Sequence, residues 1–223
     1  MDEEYVVKIE SIKPVTHDVV RIVASKPVGY NFTPGQATDV SINKNDWQKE
    51  KRPFTFTNLP TDDYLEFTIK TYPSRKGVTN ELLTLKKDDE LLVHEVFGAI
   101  AYKGAGIFIA GGAGVTPFIS IFRHLDSKNE IGTNMLVFAN KNKADIIMEK
   151  EFRNLLGDAF INILSDEKVG GYHHGMINED FLKTNIADFD KQLYLCGPPP
   201  MMDAVLKQLK NLGVGEHAIT VEI

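Results

Sequence analysis

Apolar positions along this chain follow two different rhythms. From residue 5 to 97 they come in short β-branched and aromatic runs separated by turn residues. These runs predict strands over Tyr5–Lys13, Val19–Ser25, Gln36–Ile42, Pro53–Thr57, Tyr64–Tyr72 and Glu90–His94. Within Tyr64-Leu65-Glu66-Phe67-Thr68-Ile69-Lys70 the alternation has the period of a half-buried strand. One helical stretch, Val78–Leu85, interrupts the strands. Closely spaced strands with a single helix predict a small antiparallel β-barrel.

From residue 105 onward the rhythm changes. Apolar runs at Gly106–Ala110, Met135–Ala139, Phe160–Leu164, Gln192–Cys196 and Ala218–Val221 alternate with helical stretches. The helices fall near Pro117–Leu125, Ile147–Leu156, Asn178–Lys183 and Pro199–Leu212. Strand–helix alternation predicts a parallel sheet with helices on both faces. Neither rhythm holds over Gly98–Gly104. The fold class expected is therefore two domains, an antiparallel β-barrel over residues 1–100 and an α/β parallel-sheet domain over 101–223.

Composition narrows the function classes. Of 223 residues 43% are hydrophobic, enough for ordinary cores, and no stretch approaches the roughly 18 apolar residues of a membrane span. The acidic start, Met1-Asp2-Glu3-Glu4, is unlike a secretory signal. A single cysteine excludes an intrachain disulfide and fits a reducing cytoplasm. It also argues against iron–sulfur and haem sites, which need several ligands at set spacings. The six histidines show no metal spacing; His173 and His174 are adjacent and on a strand would face opposite ways. A net charge of -6 argues against a nucleic-acid partner.

Candidate chemistry sits in three short segments. On a strand, Arg52 and Phe54 share a face and Thr55 takes the other. A guanidinium fork there could grip a phosphate, and the ring could stack on a flat ligand. The same residues also read as an edge strand with a surface arginine and a core phenylalanine. Ile107–Ala110 is a buried-type strand, followed by Gly111-Gly112-Ala113-Gly114 and then Val115-Thr116-Pro117 at a helix start. That arrangement aims backbone N–H groups at a pyrophosphate; the alternative is a tight turn with no ligand. It is not the usual dinucleotide fingerprint. Pro117 replaces the third glycine, and the next strand leads into Asn140-Lys141-Asn142-Lys143 with no acidic residue. Cys196-Gly197-Pro198-Pro199-Pro200-Met201 closes a strand and opens a helix, where a ligand-contacting or merely buried thiol are both possible. No histidine or asparagine spacing makes Cys196 a hydrolase nucleophile.

In this order and spacing, the three segments resemble those of the ferredoxin–NADP reductase superfamily, over about residues 5–223. The resemblance implies FAD in the barrel and NADH or NADPH on the α/β domain. It implies that Arg52, Pro53, Phe54 and Thr55 form the flavin-binding strand, with Arg52 on the pyrophosphate, Phe54 on the isoalloxazine and Thr55 near flavin N5. The family usually has Tyr where Phe54 stands, and the missing phenol should weaken flavin binding by roughly 0.5–1.5 kcal/mol. Gly77, Val78 and Thr79 match an element that presents a helix N-terminus to the pyrophosphate, and Ile69 and Lys70 match backbone along the isoalloxazine edge. Phe32–Gln36 matches a structural turn.

The nucleotide would lie on Gly112, Gly114, Val115, Thr116, Pro117 and Asn140, with Cys196, Gly197, Pro198 and Met201 beside the nicotinamide. NADP-preferring relatives carry Ser-Arg where this chain has Ser165-Asp166. A carboxylate there repels a 2′-phosphate, which favours NADH, while Lys141 and Lys143 pull the other way. Plant-type relatives end in Val-Glu-Val-Tyr, whose aromatic ring covers the flavin. This chain reads Thr220-Val221-Glu222-Ile223, so Glu222 is expected near the flavin edge without an aromatic lid. Thr55, Cys196 and Glu222 are the expected catalytic residues.

The activity implied is hydride transfer from nicotinamide to flavin N5, then delivery to a separate electron-acceptor protein such as flavodoxin or ferredoxin. Lys44, Lys49, Lys51 and Arg52 are candidates for a basic patch that would steer an acidic carrier. A free-flavin or quinone reductase, and a non-catalytic flavin- or nucleotide-binding regulatory subunit, remain alternatives.

Overall fold

The computed structural model describes residues 3–221. The strands and helices fall into two units: the chain up to Ala101 together with Thr116–His124, and Tyr102–Val115 together with Leu125 onward.

The first unit holds β1 (Tyr5–Pro14), β2 (Val19–Ser25), β3 (Ala37–Ile42), β4 (Arg52–Thr55), β5 (Tyr64–Lys70) and β6 (Glu90–Phe97). Helix α1 (Val78–Glu81) lies between β5 and β6. The strands form a six-stranded antiparallel sheet in the order β4-β3-β6-β1-β2-β5. A bridge between Phe56 and Phe67 returns the end of β4 to β5 and closes the sheet into a barrel. The core follows the pleat. Val7, Ile9, Ile22, Val40, Ile42, Leu65, Phe67, Leu91 and Val93 point inward, and Phe56 stacks on Phe32 at 4.2 Å.

Three elements differ from the expectation. Strand β4 is shorter than expected, because after Thr55 the chain leaves β3 and Thr57 N donates to Glu66 O at 2.9 Å. Strand β5 is buried from Leu65 to Ile69 rather than on one face alone. Its second face is covered: Arg123, within the Thr116–His124 segment that groups with the barrel, donates to Glu66. Helix α1 is also shorter than expected, one α turn followed by a 3-10 turn at Leu82–Thr84.

The second unit contains β7 (Gly106–Gly111), α2 (Thr116–Ser127) in its last turn only, β8 (Met135–Asn140), α3 (Glu149–Leu156) and β9 (Phe160–Leu164). It continues through β10 (His173–His174), α4 (Glu179–Asn185), β11 (Gln192–Cys196), α5 (Pro199–Asn211) and β12 (Ile219–Val221). Its sheet is parallel throughout, in the order β10-β9-β8-β7-β11-β12. Side chains alternate between faces, so Ile107, Ile109, Val137, Leu193 and Leu195 pack with Leu182 of α4 and with Val205 and Leu209 of α5. On the other face Phe152 of α3 meets Phe138 and Phe160 at 6.4 Å and 5.6 Å. The two-residue strand β10 was not expected. It carries exposed His173 and His174, with His173 edge-on to Phe181 at 5.1 Å.

No helix among the described residues is long and apolar enough to cross a membrane.

Candidate functional site

In the barrel unit the residues of the first segment lie on β4 beside β3, with Arg52 opposite Val40 and Phe54 opposite Thr38. Arg52 and Pro53 are exposed, Phe54 is half-buried and Thr55 is buried. Phe54 packs against the barrel core, 6.5 Å from Phe67. Among the described residues the Arg52 guanidinium donates to Lys51 O at 2.6 Å and to exposed Glu50 at 3.4 Å. Lys70 ends β5, but its ammonium is held by Asp18 at 2.8 Å. Burial pushes the Asp18 carboxyl up, and Lys70, with Thr16 and His17, more than offsets this, leaving it below its usual range. The Ile69 side chain is in the core, so this stretch can offer a ligand its backbone. Beyond the Phe56–Phe67 bridge no described strand pairs with the outer edge of β5.

Gly77 is the N-cap of α1 and gives it no side-chain cap. A Cβ at Gly77 would meet nothing within 4 Å, so an anion can approach the Val78 and Thr79 end of the turn. Flavin dinucleotides require a cation or helix N-terminus for the pyrophosphate, an apolar face for the ring and hydrogen-bonding groups at its edge. Arg52, the uncapped turn, Phe54 and the outer edge of β5 fit those requirements.

In the α/β unit the second and third segments meet. Strands β7 and β11 are neighbours, with Cys196 opposite Ala110. The loop Gly112–Val115 forms a 3-10 turn that runs directly into Thr116 and Pro117 of α2. A Cβ on Gly114 would lie 2.4 Å from Cys196 O, and one on Gly111 would lie 2.2 Å from Met201 Sδ. At Gly114 backbone therefore presses on backbone, which only glycine permits, while at Gly111 the neighbours are the side chains of Met201 and Pro198. Gly112 has φ +52 and open space where its Cβ would be. Cys196 is 7% exposed, while Pro198 at the N-cap of α5 is exposed and Gly197 half-buried.

The ends of β8 and β9 are joined as well. Ser165 N donates to Asn140 O and Asp166 N to Lys141 O, both at 3.0 Å. Ser165 Oγ donates to Asp166 Oδ1 at 2.5 Å. Asn140 is buried, and neither its amide nitrogen nor its oxygen has a partner. An orphaned buried amide at the C-terminal end of a central parallel strand fits a nucleotide that would satisfy it. Lys143, expected to compete with Asp166, lies over the Tyr172 ring at 5.3 Å. Tyr172 donates its hydroxyl to Glu149, which Arg153 also contacts.

Other expected residues fall elsewhere. Glu222 and Ile223 lie outside the described residues. The basic patch is partly neutralised, with Lys44 3.9 Å from Asp89 and Arg52 3.4 Å from Glu50. Sequence reasoning also passed over Glu66, a fully buried carboxylate held by Arg21 and Arg123. Glu66 falls on the polar side of the alternating strand with Thr68 and Lys70, so no local signal marked it as buried.

The sequence matches the FAD-binding domain family over residues 4–131 and the oxidoreductase NAD-binding domain family over residues 108–207. Among curated proteins it is 29% identical to the reductase component of propane 2-monooxygenase from Rhodococcus jostii, over 95% of this chain and 61% of that protein. It is also 29% identical to NADH-cytochrome b5 reductase 2 of Mycosarcoma maydis, over 88% of this chain and 62% of that protein. The chain thus spans less than two thirds of the length of these relatives. The fold of the FAD/NAD-binding domain of a Vibrio cholerae nitric oxide dioxygenase is similar, with TM-score 0.88, 19% identity and coverage of 100% and 98%. A Neisseria gonorrhoeae ferredoxin NADP+ reductase with bound FAD and NADP gives TM-score 0.86 at 18% identity, covering 98% of each chain. A β-barrel that matches an FAD-binding domain and a parallel sheet that matches an oxidoreductase NAD-binding domain define a class of two-domain FAD- and NAD-binding proteins. The chain belongs to the FAD-binding domain family and, within that class, to the ferredoxin–NADP reductase superfamily.

Proposed function

We propose that the protein is an FAD-containing NADH oxidoreductase that passes electrons to a separate acceptor protein, and that it works in the reducing cytoplasm. The observation that carries the reading is the meeting of Gly111–Gly114 with Cys196–Met201 at the C-terminal ends of β7 and β11, where open α/β sheets bind dinucleotides. Bound FAD supplies the capacity to take a hydride from a nicotinamide and release electrons one or two at a time. The nicotinamide would give up a hydride, one proton with two electrons, and leave as NAD+, and the flavin would be the acceptor.

The chain's own residues bind and orient. Arg52, Val78 and Thr79 would hold the FAD pyrophosphate, Phe54 would back the ring, and the Thr55 hydroxyl would serve the reacting edge of the flavin. Asn140 satisfies its amide on the nucleotide, Asp166 accepts from the adenosine ribose, and Cys196 orients the nicotinamide. The relatives are named as a monooxygenase reductase component and as a cytochrome b5 reductase, so an oxygenase component or a haem carrier joins flavodoxin and ferredoxin as acceptor classes.

Anaerobic titration of the FAD-loaded protein tests the reading. NADH should bleach the visible flavin band, and the reduced protein should then reduce a ferredoxin, flavodoxin or cytochrome b5 faster than free flavin. A flavin that NADH leaves oxidised defeats the proposal. Equal rates with free flavin defeat the part concerning a protein acceptor.

A further inference from the structure

The barrel unit contains a buried carboxylate that neither dinucleotide requires. Glu66 lies mid-strand in β5 with its side chain 0% exposed. Arg21 of β2 donates to Oε2 at 2.6 Å, and Arg123 of α2 donates to Oε1 at 2.6 Å. The Thr57 hydroxyl donates to Oε1 at 2.8 Å. Burial opposes the charge, and Arg123, Thr57 and Arg21 together hold the carboxyl below its usual range.

The same contacts fasten a helix to a strand end. Arg123 also donates to Thr57 O at 2.7 Å, and Ser120 Oγ donates to Asn58 O at 2.7 Å. Thr57 and Asn58 follow Thr55 closely in the chain, and α2 begins at Thr116. Thr116 Oγ1 donates to Thr55 Oγ1 at 3.5 Å. The middle of the helix is therefore clamped through Glu66 while its first residue brings its hydroxyl to Thr55. A well-packed apolar residue would hold the strand with less desolvation, so packing alone does not require a charge at this position. A guanidinium fork fixed on a carboxylate and a carbonyl at once sets both distance and direction.

We propose that Glu66 is a positioning residue for hydride transfer, acting through Arg123 to fix α2 against Thr57 and Asn58 and so to hold Thr116 on Thr55. This rests on the oxidoreductase reading above. It does not bind either dinucleotide itself. Its effect should therefore appear in the rate of flavin reduction and not in the binding of FAD or NADH.

The test uses FAD-loaded full-length protein carrying Glu66→Gln, which keeps the shape and removes the charge. Stopped-flow flavin reduction is measured over a range of NADH concentrations, with dithionite as a reductant that needs no nucleotide. The expected result is full FAD content, an unchanged half-saturating NADH concentration, an unchanged dithionite rate, and a limiting NADH rate lower by roughly tenfold or more. A wild-type limiting rate in the variant overturns the proposal. So does a rate loss of equal size with dithionite, which would mark a disturbed flavin pocket. If Glu66→Gln fails to fold, Arg123→Lys, which keeps the charge but lacks the fork, is measured against the same outcomes. Wild-type protein whose flavin NADH cannot reduce refutes the oxidoreductase reading instead, so the two failures are distinguishable.

Discussion

At the residue scale, the candidate flavin site depends on one exposed cation. Both hydrogen bonds of Arg52 are solvent-exposed, so its fork can turn to a pyrophosphate without breaking a buried contact. A charge-assisted hydrogen bond is worth about 1.5–3 kcal/mol, so Arg52→Ala should lower FAD affinity by about 10- to 150-fold. Fluorescence titration of the apoprotein measures this, and an unchanged affinity removes Arg52 from the site. Asp166 is exposed at the end of β9, where its neighbour Ser165 already donates to it. A carboxylate so placed repels a second anion, and Lys143 is engaged with Tyr172. The wild-type kcat/KM should favour NADH over NADPH, and Asp166→Arg should reduce that ratio by about tenfold or more, since the charged contact it adds is of the same strength. A wild-type preference for NADPH contradicts the assignment.

At the scale of elements, the nucleotide loop depends on how closely two chain segments approach. Gly114 lies against the carbonyl of Cys196 and the Cα of Gly197, at 2.4 Å and 2.6 Å from where a Cβ would stand. Those neighbours are backbone at the end of a central strand and cannot rotate away. Gly114→Ala should destabilise the protein by about 1–3 kcal/mol. It should also weaken NADH binding while leaving FAD content intact. Chemical denaturation and nucleotide titration measure the two effects separately, and an alanine variant with native stability and affinity contradicts the close approach. Strand β5 carries a second lesson at this scale. The alternation over Tyr64–Lys70 foretold which face enters the barrel core, and Leu65, Phe67 and Ile69 are there. It did not foretell that Glu66 and Thr68 are buried too, because the cover comes from a helix about fifty residues later in the chain.

At the scale of the molecule, the balance of charge makes acid the sensitive direction. Glu66 and Asp18 both have carboxyls held below their usual values, against burial, by Arg123 and by Lys70 respectively. A group whose folded pKa is depressed contributes stability above its unfolded value, and loses it as pH falls through the folded value. Stability should therefore be level near neutrality and decline below about pH 4.5, the ordinary glutamate value. Glu66→Gln should be less stable at pH 7 by about 3–5 kcal/mol, because two guanidiniums lose a buried partner, and less sensitive to acid. Thermal melts from pH 7 to pH 3 measure both, and parallel pH curves for variant and wild type contradict the role given to the pair.

What the sequence by itself determined was local. β-rich and apolar runs marked most strands, strand–helix alternation marked the parallel sheet, and the glycine and proline segments marked where the backbone turns tightly. Each depends on neighbours in the chain, so each leaves a trace in the order of residues. Tertiary structure alone decided what meets what. Gly114 and Cys196 stand far apart in sequence, and the meeting of β7 and β11 puts one on the other. Strand β10 exists only because β9 offers it an edge, and two adjacent histidines carry no strand pattern of their own. Glu66 is tolerated inside the protein only because Arg21 and Arg123 arrive from separate elements to pair with it. A buried charge is costly alone and acceptable when paired, and pairing across distant segments is a property of the fold rather than of any stretch of sequence.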